Sequence, residues 1–330
     1  MGGDFAPRAA VAGAILALED PAISKIILVG RQGDVSPLLD AANFDKSRLD
    51  LLHAEEVISM EDAPAAAIKA KKDSSVVVGL NLVKTGDAAA FVSAGSTGAL
   101  LAGATTIVGR IKGIKRPALG VIFPNVSGHT FLVDAGANVD ARPEFLLQFA
   151  QMASVYAESV MGVANPRVGL INVGAEREKG NQLTKEAYDL LAASGLNFIG
   201  NVEGRDIPLG AVDVAVCDAF VGNIILKYSE GFAKGMMTML KEELMAGTFS
   251  KIGAALSKGA YGRLRKRFDY TEVGGAPFIG LKGLVVKAHG SSNEVAIKSA
   301  IGQCAKFIKA DVAGKIQATI GGEAQSTALD

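Results

Sequence analysis

Aromatic side chains make up only 6% of this chain of 330 residues, and it holds just two cysteines and three histidines. Lysine plus arginine and aspartate plus glutamate balance at 34 each. Each scarcity excludes something. The even charge sets the chain against nucleic acid as its main ligand, since such proteins carry a basic excess. Cys217 and Cys304 lie far apart and read as reduced thiols of a cytoplasmic protein, not as a disulfide framework. Cys217, inside an apolar strand run, reads as an inert core thiol. His53, His129 and His289 show no metal-binding spacing, so neither a metal nor another cofactor is expected. No apolar run reaches the ~18 residues of a spanning helix, and no secretory leader is expected. The dinucleotide and P-loop glycine fingerprints are missing, as is the G-x-S-x-G elbow of serine hydrolases.

What is abundant is glycine, with 39 residues, and aliphatic material, with 49% of the chain hydrophobic. Short β-branched runs alternate with helical ones. Strands are expected at 25–30, 49–54, 89–95, 118–123, 130–136, 167–174, 197–202, 212–218 and 284–290. Helices are expected at 7–19, 63–72, 75–85, 97–109, 143–158, 183–194, 222–245 and 292–312. That rhythm predicts an α/β fold with a mostly parallel sheet covered on both faces. The link "PNVSGH" between 118–123 and 130–136 is too short for a helical crossover, so this pair is expected to be antiparallel and the sheet mixed. Residues 1–330 read as a single domain of two intertwined lobes, with a flexible tail at 321–330. The opening "MGGDFAP" is a glycine turn with no strand to feed it. The natural chain is therefore expected to begin upstream, with Met1 internal.

One segment breaks the rhythm. In "GTFSKIGAALSKGAYGRLRKRF", Phe249, Ile252, Leu256, Ala260, Leu264 and Phe268 recur at steps of three or four. Six basic residues, among them Arg263, Arg265 and Lys266, stand between Thr248 and Phe268 with no acidic one. Two readings stand: an ordinary surface helix pair with a solvated basic side, or a basic amphipathic hairpin for an anionic membrane or acidic partner. Gly253, Gly259 and Gly262 favour two short helices over one rigid rod.

In open α/β sheets ligands bind beyond the carboxyl ends of the strands. The segments found there are "SAGSTGALLAGA", "DAGANVDARPE", "GAEREKGNQLTKE", "DAFVGNIILKYSEG" and "HGSSNE". Glycines let a ligand approach the backbone, and each following helix points its positive end there. A phosphate-sized anion is the expected guest. Asp134 and Asp218 end strands and read first as caps or loop braces. Lys179 offers a mobile cation for a phosphate oxygen, and Asn223 a neutral donor for a developing oxyanion. A solvated loop cation and a helix cap are the plainer readings of that pair.

Seven segments in order, "MGGDFAP", "SAGSTGALLAGA", "GRIKGIKRPALG", "DAGANVDARPE", "GLINVGAEREKGN", "DAFVGN" and "KAHGSSN", resemble the bacterial phosphate acyltransferases, the acyl-[acyl-carrier-protein]:phosphate transacylases of phospholipid synthesis. The likeness runs from Gly2 to about residue 310. It departs at the front, where the family's first strand, ending in a V-D-A-M-like sequence, does not precede Gly2. The resemblance implies a three-layer α/β/α body on a large mixed sheet, like isocitrate and isopropylmalate dehydrogenases and phosphotransacetylases, and a homodimer. It implies that carrier-bound acyl thioester and inorganic phosphate give acyl phosphate, which passes to a membrane-bound glycerol-3-phosphate acyltransferase. It supports Lys179 and Asn223 as catalytic residues. Gly95, Ser96, Thr97 and Gly98, then Asn138 and Gly222, then His289, Gly290, Ser291, Ser292 and Asn293 become the expected phosphate and substrate contacts. Ile252, Leu256, Arg263, Leu264, Arg265 and Lys266 become the expected contacts to the membrane surface or to acyl carrier protein, with the enzyme peripherally membrane-associated. Two alternatives stay open: a phosphotransacetylase-like enzyme using a short-chain coenzyme A thioester, or a non-catalytic phosphate-binding scaffold at the membrane. A dehydrogenase is disfavoured, because no metal-ligating aspartate cluster is evident.

Overall fold

The computed structural model describes residues 1–268 and 274–326, with only the helical backbone for 265–268 and 321–326. Three ladders carry the fold. A parallel pair joins β1 (Ile26–Gly30) and β2 (Leu49–His53). A four-stranded sheet runs in the order β3 (Ala90–Ser93), β11 (Leu284–Lys287), β10 (Ala276–Ile279), β4 (Ala118–Leu119). A five-stranded sheet runs β5 (Val121–Pro124), β6 (His129–Val133), β9 (Val214–Val216), β7 (Val168–Ile171), β8 (Phe198–Val202).

The expected hairpin is β5–β6, antiparallel from Val121↔Leu132 to Pro124↔His129. Asn125 closes its loop by donating to the Gly128 carbonyl at 3.0 Å. The mixed sheet is read as one body from sequence but forms three ladders, and Gly120 divides the two larger ones within the run 118–124. Its N–H turns to the Pro277 carbonyl at 3.0 Å, while the residues after it pair with β6. A Cβ at Gly120 would sit 2.0 Å from the Phe131 ring, so only glycine fits there. The β1–β2 pair stands apart from β3 across a cavity of about 660 Å³ lined by Ile27, Val29, Phe91 and Ile301.

Helices cover both faces. They are α1 (Arg8–Ala17), α2 (Gln32–Asp40), α3 (Pro64–Ala70), α4 (Ser75–Thr85), α5 (Thr97–Gly103), α6 (Pro143–Tyr156), α7 (Gln182–Ala192), α8 (Ala219–Met245), α9 (Thr248–Leu256), α10 (Lys258–Phe268), α11 (Glu294–Lys309) and α12 (Val312–Ser326). One core spans both larger sheets: Phe131 and Val133 of β6 and Val168 of β7 join Ile279 and Val286 of the other ladder. At its centre Tyr156 stacks on Phe131 with centroids 4.2 Å apart, and Gln303 donates to the tyrosine hydroxyl at 3.0 Å. Each such buried side chain contributes roughly 1.5–3 kcal/mol relative to exposure.

Ser257 alone separates α9 from α10, so the glycine-rich segment forms two short helices. Of the residues read as a tail from 321, those to Ser326 extend α12, and 327–330 lie outside the described residues.

Candidate active site

Three glycine turns interlock at the carboxyl ends of the parallel strands β3 and β11. Gly2 lies so close to Gly95 that a Cβ on it would stand 2.5 Å from the Gly95 Cα. Gly3, at φ +103°, sits against Ala94 and the Gly290 carbonyl, a backbone shape that suits glycine. The Asp4 N–H donates to the Gly290 carbonyl at 2.8 Å. The expected turns 95–98 and 289–293 therefore meet, with 2–4 wedged against both.

Several donors in these turns are already engaged. The Gly95 N–H reaches Ser93 Oγ at 3.2 Å, the Ser291 N–H reaches His289 Nδ1 at 3.2 Å, and the Ser292 N–H reaches the His289 carbonyl at 3.0 Å. Ser96 and Asn293 accept from the first turns of α5 and α11, at 3.4 Å from the Ala99 N–H and 3.0 Å from the Ala296 N–H. Thr97 and Gly98 open α5 and have no carbonyl four residues back within the helix.

Two lysines that the sequence reading passed over reach the same place. Lys287 ends β11, and its Nζ donates to the Ala94 carbonyl at 3.3 Å and to the Ala288 carbonyl. Lys227 arrives from α8, with Nζ 3.4 Å from His289 Nε2 and 2.9 Å from a Glu230 carboxylate oxygen. Burial, and then the Lys227 charge, pushes the Lys287 ammonium down to about 8, against the pull of Asp4. Burial also lowers the His289 ring. The Lys227 and Lys287 charges add to that, while Glu230 and Asp4 oppose it.

The start of α8 is built at the carboxyl edge of the other sheet. Asp218 caps the helix by accepting from the Val221 N–H at 2.9 Å. The first helical residue is Ala219, three before the expected start, because this cap precedes it. Gly222 presses on the 134–138 loop so closely that a Cβ would meet the Asp134 carbonyl oxygen at 1.9 Å. Asp134 braces that loop, accepting from the N–H groups of Leu119, Gly136, Ala137 and Asn138 and from the Asn138 side chain, at 2.7–3.2 Å. Burial pushes its carboxyl up, and these donors oppose the shift. Asn138 spends its amide on Asp134 and on the Pro117 carbonyl, so its side chain holds the loop. Cys217 is buried, as expected of a core thiol.

Asn223 is exposed and one turn before Lys227 on α8. Residues at i and i+4 share a helix face, about 5–6 Å apart. That spacing ties Asn223 to the lysine that touches His289, and so joins the two sheet edges along one face of α8. Lys179 stands exposed on the loop after β7, the strand beside β9. The Asn172 side chain donates to the Lys179 carbonyl at 3.1 Å, and the Asn201 side chain donates to the Glu176 carbonyl at 2.8 Å. Among the described residues no hydrogen bond or ion pair joins Lys179 to the glycine turns.

On the exposed side of α8, Phe220, Ile224 and Tyr228 recur every fourth residue, all more than half exposed. On α9, Phe249 is 90% and Leu256 85% exposed, with Ile252 beside them, and α10 presents Arg263 and Leu264. The side chains of Arg265 and Lys266 lie outside the described residues.

The family described as fatty acid synthesis protein matches residues 1–315. A phosphate acyltransferase of Clostridium botulinum is 54% identical over 303 residues, 92% of this chain and 90% of that protein. One of Clostridium tetani is 50% identical over 317 residues, 96% of this chain and 95% of that protein. Among solved structures, a phosphotransacetylase from Streptococcus pyogenes superposes with TM-score 0.58 at 18% identity, over 92% of this chain and 91% of that one. A branched-chain phosphotransacylase from Enterococcus faecalis gives 0.52 at 15%, over 93% and 97%. At such identities the two structures establish a shared fold.

Proposed function

The chain belongs to the fatty acid synthesis protein family and is a phosphate acyltransferase, and from that premise we propose how its site works and on which donor. The donor is the acyl thioester of an acyl carrier protein, and the product is an acyl phosphate. A phosphate oxygen attacks the thioester carbonyl carbon, the tetrahedral oxyanion collapses, and the carbon–sulfur bond breaks. The carrier leaves as a thiolate that takes up a proton. Phosphate is itself the nucleophile, so no activated serine or cysteine is required, and buried Cys217 has no part in the step. Alignment of the two reactants alone supplies ~7–11 kcal/mol when it is well set.

The observation that carries this reading is the 3.4 Å contact between Lys227 and His289, one helical turn from Asn223. It supports a neutral amide donor and a cationic glycine-turn site that work together along one face of α8. Asn223 donates to the thioester oxyanion, while the turns 95–98 and 289–293 take the phosphate. Lys179, on the loop that follows β7, brings a mobile cation to the developing negative charge. The test is turnover of carrier-bound acyl thioester by Asn223→Ala and Lys179→Ala, with a coenzyme A thioester as the competing donor. A preference of the unaltered protein for the coenzyme A thioester would remove the carrier from the account.

The apolar face of α8 supports a homodimer built along that helix, since exposed stripes of this kind mark association surfaces. The exposed Phe249, Ile252 and Leu256, followed by the basic run, support a hairpin of α9 and α10 resting on an anionic membrane surface. A long acyl chain is worth ~0.8 kcal/mol per buried CH₂. Its phosphate therefore passes along an apolar surface to the membrane-bound glycerol-3-phosphate acyltransferase more readily than through water.

A further inference from the structure

We propose that Lys287, with Lys227 near it, is the cation that receives the phosphate, an assignment that deepens the phosphate-using reading above and rests on it. Lys287 comes from the end of β11 and reaches the Ala94 carbonyl, Lys227 comes from α8 and reaches His289, and both charges act on the His289 ring. The groups facing them are Asp4 from the first turn, Glu230 from α8 and His289 from their own pocket. Glu230 is taken up by Lys227 at 2.9 Å. Among the described residues Asp4 offsets the second charge, and the two ammonium groups repel.

An ammonium has three donors. Lys287 uses two on the carbonyls of Ala94 and Ala288, which flank the two glycine turns, and among the described residues its third donor is left for a ligand. A dianion lying between the lysines would relieve their repulsion and draw on that third donor. Lys179, by contrast, has no bond to these turns among the described residues. The loss of its charge is therefore not expected to alter how phosphate alone is held.

The consequence is a proton linkage. Burial and Lys227 bring the Lys287 ammonium down to about 8. Phosphate binds the charged form, so above about pH 8 its affinity falls roughly tenfold per pH unit. Below that pH Lys287 is charged in both states and this dependence vanishes.

The experiment is calorimetric titration of the full chain with inorganic phosphate between pH 7 and 9.5, for the unaltered protein, Lys287→Met, Lys287→Arg and Lys179→Met. Lys287→Met is expected to bind phosphate at least about tenfold more weakly at pH 7, with no limb above pH 8. Lys287→Arg, whose charge cannot be removed in this range, should bind at pH 7 and stay flat to 9.5. Lys179→Met should keep the unaltered profile. The ionisation of phosphate itself is common to all four and cancels in the comparison. Unaltered affinity and pH limb in Lys287→Met would overturn the assignment, as would a limb that persists in Lys287→Arg. A protein that binds phosphate with the expected profile yet forms no acyl phosphate would overturn the functional reading and leave the lysine pair standing.

Discussion

Replacing Gly222 by alanine tests how tightly the start of α8 is registered against the 134–138 loop. The added Cβ would lie 1.9 Å from the Asp134 carbonyl oxygen and 2.9 Å from its carbon. Ordinary contacts lie near 3.5 Å, so one backbone must retreat by at least about 1 Å. Neither yields easily: Asp134 is fixed by its five donors, and α8 is fixed by the Asp218 cap. Overpacking of this kind typically costs about 1–3 kcal/mol, and rigid partners place it at the upper end. The same shift moves Asn223, the next residue, away from the reacting carbonyl. A displacement of ~1 Å costs about 10²-fold in rate. Thermal unfolding, together with acyl-phosphate formation, measures both effects in one preparation. A variant with unchanged melting and near-normal turnover would refute both the registration of α8 and the placing of Asn223 by it.

Asn223→Ala leaves the fold intact and lowers turnover by ~10²–10³, the usual effect of losing one oxyanion donor; turnover within a few fold of normal would remove the role. Asp134→Ala strands five N–H donors in a partly buried loop and should lower stability by about 3 kcal/mol, read by denaturant unfolding. Lys287 has a folded value lowered to about 8 from 10.5, so the unfolded chain binds more protons between those values. Its share of stability is therefore gained as pH rises from 8 to 10.5 and lost as pH falls back through 8, by up to about 3 kcal/mol. Lys287→Met should flatten that rise in a pH series of unfolding curves. Leu256→Glu should release the protein from anionic vesicles in a flotation assay, and undiminished flotation would count against α9 as a membrane contact.

The parts of the fold legible in the sequence are those where local chemistry and tertiary packing agree. The β5–β6 hairpin followed from a short polar link, and the bracing roles of Asp134 and Asp218 followed from their places at strand ends. What escaped has physical reasons. Pro277 disguised β10, because proline within a run argues against a strand, and this one donates nothing to either neighbouring ladder. Pro37 hid α2 in the same way. Gly120 looked like part of one strand, and only the ring of Phe131 against it shows why the sheet divides there.

The candidate site was half legible. Glycine turns announce themselves in one dimension, so 95–98 and 289–293 stood out. Lys227 and Lys287 did not, since a lysine in a long helix and a lysine closing a strand look like ordinary surface charges. Their importance comes from the meeting of α8 with the end of β11, across 60 residues of chain that no spacing rule connects. The signal that would have found Lys287 is its place as the last strand residue before a glycine turn, the same topological edge that picked out the turns themselves.

The most direct measurement supplies ¹⁸O-labelled phosphate with a carrier-bound acyl thioester and weighs the acyl phosphate formed. Attack by phosphate on the thioester carbon predicts a product that retains every labelled oxygen, including the one bonded to the acyl carbon. Loss of one label would mean that the carboxyl was first released by water, and would contradict direct phosphorolysis.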